Sequence, residues 1–185
     1  LSTVTLIVFN YDRCIEQYLY LAFQTYYGMV AERAAGLVKK IHIYHPYGSV
    51  GSLPWYGGTQ TSPFGHEPGA GELLKLAGGI KTFTEGTDPT SSDITAIRAK
   101  VLAADRLLFL GFAFHRLNLQ LLWDASKRQA SPARCWATGK NISVNDRDEI
   151  AKELVALGLD TAPTIRIDLT CSELIRDYWR SLSML

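Results

Sequence analysis

The chain has 185 residues, 47% of them hydrophobic, with 19 basic and 18 acidic side chains and a formal net charge of +1. That is enough apolar sequence for one well-buried core and too little for two ordinary domains, so a single domain over residues 1–185 is expected. The balanced charge excludes a nucleic-acid stripe or a polybasic membrane patch, and no apolar run approaches the ~20 residues that span a bilayer.

Within Thr3 to Asp12, Val4 and Leu6 to Phe9 form a short apolar segment that stops at Asn10, Tyr11 and Asp12. An apolar run without alternation reads as a central strand buried on both faces. Ile15, Tyr18, Leu19, Ala22, Phe23 and Tyr26 then fall at helical spacing. A second short helix is predicted over Gly28 to Lys39, and Ile41 to His45 alternates as a half-buried strand. Pro46 to Gly71 holds seven glycines and four prolines around Trp55, Tyr56, Phe64, His66 and Glu67. A segment of that length is a lid or an irregular loop, and its aromatics favour one that packs against something.

A short helix is predicted over Glu72 to Ala77, then a short strand at Ile80, Thr82 and Phe83. Ser91, Ser92 or Asp93 would cap a helix carrying Ile94, Ile97, Val101 and Leu102. The strand Leu107 to Leu110 ends in Gly111, Phe112, Ala113, Phe114 and His115, and a helix follows from about Leu117 to Lys127. The remainder reads as a strand at Ala133 to Thr138, a helix at Asp146 to Leu157, a strand at Thr164 to Asp168, and a last helix bearing Leu174, Ile175, Tyr178, Trp179 and Leu182. Six strands alternating with helices point to an α/β, three-layer sandwich around a mostly parallel, Rossmann-like sheet. The chain opens at Leu1, almost inside its first strand, so the N-terminal portion of that sheet is expected upstream.

Three polar corners fall at the carboxyl ends of predicted strands, where open parallel sheets bind ligands: Asn10 to Asp12, His45 to Ser49, and Gly111 to His115. Their carboxylate, amide, imidazoles, phenol and glycines suit a nucleotide more than an apolar ligand. Each also has an ordinary structural reading. Asp12 would cap a helix, Asn10 would tie down a turn, His45 would end a strand, Gly111 would serve a tight turn, and His115 would begin a helix in solvent. Cys14, Cys135 and Cys171 are too scattered for a metal pair or a disulfide framework, so no metal is expected, and a reducing, cytoplasmic setting is.

The sequence Phe9-Asn10-Tyr11-Asp12-Arg13, the turn His45-Pro46-Tyr47-Gly48-Ser49 with Leu53-Pro54-Trp55, and Phe109-Leu110-Gly111-Phe112 with His115 and Asn118 follow one another as in sirtuin-like domains. The resemblance covers roughly Thr3 to Leu122. It is to NAD-binding domains related to the sirtuin deacylases, including a bacterial branch linked to NAD depletion in phage defence. It implies that Asn10 and Asp12 border the nicotinamide and its ribose, and that Tyr47, Gly48 and Ser49 belong to the cofactor-binding turn. It also implies that Gly111, Phe112 and His115 meet the adenosine half, with Asn118 touching ribose or adenine.

The implied chemistry is attack on the anomeric carbon as nicotinamide leaves. A nearby carboxylate or amide would stabilise the oxocarbenium-like centre, and a histidine would act as general base. Where the family usually has His-Gly, this chain has Tyr47-Gly48, with His45 two residues earlier. A phenol with a pKa near ~10 is a poor base at neutral pH, so His45 is the candidate substitute. The zinc-binding cysteine pairs of the deacylases are missing, which argues against protein deacylation. Two readings follow: an NAD hydrolase releasing nicotinamide and ADP-ribose, and a non-catalytic module that senses the nucleotide or organises an assembly, with a homo-oligomer compatible with either.

Overall fold

Apolar residues near the start of the chain form β1 (Thr5–Ile7), which pairs in parallel with β2 (His42–Tyr44) in the register Thr5↔His42, Leu6↔Ile43 and Ile7↔Tyr44. The Val8 N–H extends the ladder to the Tyr44 carbonyl at 2.8 Å. Between the strands run α1 (Cys14–Tyr27) and α2 (Ala31–Val38). Gly28 ends α1 at φ 61°, a left-handed conformation that glycine adopts without a Cβ penalty. Ala34, Ala35 and Val38 bury one side of α2. This computed structural model describes residues 4–81, 92–124 and 130–183.

The backbone gathers into two compact units, Leu1–Asp93 and Ile94–Leu185. The first also contains α3 (Ala70–Ala77), and α4 (Ser92–Leu102) begins at the boundary. The second contains β3 (Arg106–Phe109), α5 (Arg116–Leu122), β4 (Arg134–Thr138), α6 (Val144–Leu157), β5 (Thr164–Arg166), α7 (Cys171–Asp177) and α8 (Trp179–Ser183). Its three strands lie in the order β3-β4-β5, all parallel. Helices join parallel strands in both units, so the protein is α/β.

Local chemistry explains several element ends. Ser143 accepts the Asp146 N–H at the start of α6, and Thr170 and Glu173 form a reciprocal capping box on α7. Arg98, on α4, donates to the Gln120 and Leu121 carbonyls and so satisfies groups that α5 leaves unpaired at its end.

Several expectations change in detail. Among the described residues there are five strands in two sheets rather than six in one. Ile80 makes an isolated antiparallel bridge to Gly48 instead of belonging to a strand, and Thr82, Phe83 and Ser91 lie outside the described residues. β1 is not enclosed on both sides: among the described residues β2 is its one strand neighbour, and Thr5, Leu6 and Ile7 are half-buried. The last helix is split at Tyr178 into α7 and α8, and α5 is described to Leu122, with residues 125–127 of its expected extent outside the described residues.

Candidate functional site

Because β1 and β2 are parallel, their carboxyl ends share one edge of the sheet, and residues 35 apart in sequence meet there. Asn10 is exposed, and its carbonyl lies 3.2 Å from His45 Nδ1. The other ring nitrogen, Nε2, lies 2.7 Å from Glu16 Oε1, one turn into α1. Glu16 is the buried residue of α1, at 8% exposure, and its second oxygen has no hydrogen-bond partner among the described residues.

Both neighbours of the His45 ring are acceptors, an arrangement satisfied when both ring nitrogens carry protons. Burial opposes charge on the ring, but Glu16, the Asn10 carbonyl and Asp12 outweigh it and hold His45 above the ordinary histidine range. A ring so engaged has no free lone pair with which to take a proton from a substrate. Two facing acceptors favour the protonated ring, the form in which His45 serves as a donor.

Asp12 does structural work at the same corner. Its Oδ1 accepts the Cys14 N–H at 3.0 Å, one of the donors that α1 leaves unpaired at its start. It does this from the residue before the N-cap, Arg13. That bond, against the opposing effect of burial and with Asn10 and His45 assisting, holds the carboxylate below its usual range.

The glycine- and proline-rich segment packs against α1. The buried Arg13 donates to the Ser62 carbonyl at 2.6 Å and the Ser52 carbonyl at 3.3 Å, while the Ser62 N–H itself donates to the Ser52 carbonyl. Gln17 accepts from the Trp55 indole at 3.0 Å, and Tyr20 stacks on the same ring. Arg13, Gln17 and Tyr20 thus lie along one side of α1 at helical spacing.

Tyr47 is buried edge-on to Phe9, with ring centroids 5.9 Å apart. Burial, with Tyr11 alongside, pushes its phenol up, further from neutrality. Gly48 has φ 75°, and a Cβ there would strike the Gly79 carbonyl. Ser49 turns its hydroxyl to the Gly51 carbonyl at 3.3 Å. The turn over residues 45–49 is therefore shaped by packing against residues 79–81.

The remaining candidates belong to the second unit. Gly111 follows β3 at φ 61° and donates its N–H to Thr138 Oγ1 at 2.9 Å. Phe112 packs with Phe109 and Phe114, with centroids 5.2 Å from each. Phe114 holds φ 51°, an uncommon conformation for a side chain of that size. His115 is the exposed N-cap residue of α5, and Asn118 is half-buried in its first turn.

The structure thus brings Asn10, Asp12 and His45, read from the sequence as parts of two separate corners, to one edge of the β1–β2 pair, together with Glu16 and Arg13, which the sequence reading did not single out. The available signal was a charged residue at the N-cap, Arg13, and another in the first turn, Glu16, directly after Asp12. Among the described residues, no three His, Cys, Asp or Glu side chains cluster as a metal site requires, and no helix is long and apolar enough to cross a membrane. No protein-family model, curated protein or solved structure matches the chain.

Proposed function

We propose that the protein binds NAD or a related ADP-ribose nucleotide, with the Asn10–Asp12–His45 corner receiving the nicotinamide-ribose end. The observation that supports this most is the meeting of Asn10 and His45 at the carboxyl edge of a parallel strand pair, beside the start of a 14-residue helix. Such edges are the usual ligand position in open α/β sheets. The resemblance to sirtuin-like domains supplies the ligand class, and the proposal includes a three-layer, Rossmann-like sandwich as the full architecture.

Binding without turnover is the reading we favour, because both ring nitrogens of His45 are engaged and the Tyr47 phenol is buried and pushed away from neutrality. Hydrolysis to nicotinamide and ADP-ribose has one observation in its favour. The Asp12 carboxylate, held below its usual range, and the exposed Asn10 lie at the same corner, and groups of this kind stabilise an oxocarbenium-like centre that forms beside them.

Calorimetric titration with NAD and ADP-ribose, beside an assay of nicotinamide release, tests both. Binding without release is expected, and Asn10→Ala should weaken it about tenfold, the loss of roughly one charge-free hydrogen bond. Release that disappears in Asn10→Ala would establish the hydrolase instead. Absence of binding at millimolar nucleotide would overturn both readings.

A further inference from the structure

We propose that Glu16 is the positioning residue of this corner: its carboxylate holds the His45 ring as a double donor, and the ring's second N–H fixes the Asn10 carbonyl and with it the exposed Asn10 side chain. The role at the ligand rests on the reading that nucleotide meets Asn10; the chain of contacts does not.

Three observations carry it. Glu16 Oε1 and His45 Nε2 are 2.7 Å apart, with both side chains nearly sealed from solvent. Glu16 Oε2 is buried without a hydrogen-bond partner among the described residues, so the His45 contact at Oε1 is the hydrogen bond this carboxylate makes there. The relay then leaves the helix, crossing from α1 through the end of β2 to the end of β1, the residue that faces outward.

The other charged and titratable groups around the pair do not replace that link. Arg13 influences Glu16 electrostatically, but its guanidinium is bonded to the Ser52 and Ser62 carbonyls. Asp12, on the segment after β1, adds to the positive bias on His45, spends an oxygen on the Cys14 N–H and is hydrogen-bonded by the Asn10 side chain, so it steadies that side chain while the His45 ring holds the Asn10 carbonyl. Cys14 lies beside Asp12 and Glu16, and Tyr56, from the packed loop, faces Glu16 as a neutral phenol whose ionisation burial and Glu16 both oppose.

Protonation of the ring is therefore the state in which the corner is held. As pH rises through the His45 midpoint, one ring nitrogen becomes an acceptor facing an acceptor, and either the Glu16 or the Asn10 contact must open. Ligand affinity would fall with it.

The test is an NMR titration of the full chain with labelled histidine and backbone amides, in wild type and in Glu16→Gln, an isosteric change that keeps an acceptor and removes the charge. In wild type the His45 signals should titrate above ~6.5, the ordinary histidine value, and the amide signals of Asn10 and Tyr11 should move with the same midpoint. In Glu16→Gln the midpoint should drop by about one pH unit or more, as expected when a close opposite charge is lost. An unchanged His45 midpoint in the folded variant, or Asn10 signals that ignore the His45 titration, would overturn the assignment. If Glu16→Gln does not fold, the wild-type signals decide: a midpoint at or below the ordinary value overturns it, and a raised midpoint shared by Asn10 supports it.

NAD affinity measured across the same pH range separates this inference from the nucleotide reading. The expected signals together with no nucleotide binding would remove the proposed ligand and leave the relay standing. Binding that is indifferent to pH through the His45 midpoint would remove the relay's role at the ligand and keep the nucleotide.

Discussion

Tyr20 and Trp55 stack with ring centroids 4.2 Å apart and planes only 9° from parallel, joining the middle of α1 to a loop 35 residues later in the chain. The same indole donates to Gln17, and Arg13 holds the loop's Ser52 and Ser62 carbonyls, so the N-cap residue and two side chains of α1, Gln17 and Tyr20, grip one segment. A stretch whose glycine and proline content gives it little intrinsic structure is ordered by contacts made elsewhere.

Trp55→Ala should therefore destabilise the first unit by about 2 kcal/mol, combining loss of the stack with loss of the indole hydrogen bond. Trp55→Phe keeps an aromatic face for Tyr20 and should cost about 1 kcal/mol, the bond to Gln17. Denaturant unfolding measures both, and limited proteolysis should show new cleavage between Ser52 and Ser62 in the alanine variant. Equal stability of the two variants would mean that the stack contributes nothing.

Gly48 and Gly111 both have positive φ, 75° and 61°, but their surroundings differ. A methyl at Gly48 runs into the Gly79 carbonyl, which is backbone and cannot swing aside, whereas at Gly111 the nearest atom is Cys171 Sγ at 4.0 Å. Gly111→Ala should cost about 1–2 kcal/mol, the left-handed penalty alone. Gly48→Ala should cost more than ~3 kcal/mol or abolish folding of the first unit, since strain and overpacking add. Melting temperatures and soluble yield compare them, and near-equal losses would show that residues 79–81 yield to the added methyl.

The strands were legible because Leu6 to Phe9 and Leu107 to Leu110 are apolar, Ile41 to His45 alternates, and each is bounded by polar, glycine or proline residues. Helix existence was equally plain, but the buried face of α1 was not. Tyr18 and Tyr26, assigned inward by their spacing, are 64% and 74% exposed, while Glu16 is buried. Periodicity assumes that burial follows apolarity. At this helix the start is enclosed by a loop rich in carbonyls and by the end of a strand carrying His45, so charged side chains with partners go inside. The corner's membership could be inferred from strand ends, whereas the Glu16–His45 contact depends on register between residues 29 apart, which composition and spacing do not encode.

Asp12 offers a separation of structure from binding. Its Oδ1 bond to the Cys14 N–H requires an acceptor and not a charge, so Asp12→Asn should change stability by no more than about 0.5 kcal/mol, and Asp12→Ala should cost about 1 kcal/mol. If Asp12 also faces the nucleotide's ribose, Asp12→Asn will weaken NAD binding without moving the melting temperature. Unchanged affinity in that variant would confine Asp12 to the start of α1.

The pH dependence of stability follows from the same two groups, with opposite signs. His45 is held above its ordinary value, so its contribution is complete below the unfolded-state pKa near ~6.5 and is lost as pH rises through the folded-state value. Asp12 is held below its ordinary value, so its contribution is complete above ~4 and is lost as pH falls through the folded-state value. Melting temperature should therefore be highest between these limits and decline on the alkaline side as His45 loses its proton. In His45→Gln that alkaline decline should flatten, and the gap from wild type should be widest near about pH 5–6 and narrow as pH rises past the His45 midpoint. A gap of constant size from pH 5 to pH 9 would mean that His45 acts through its shape and neutral hydrogen bonding alone, with no charge held against Glu16.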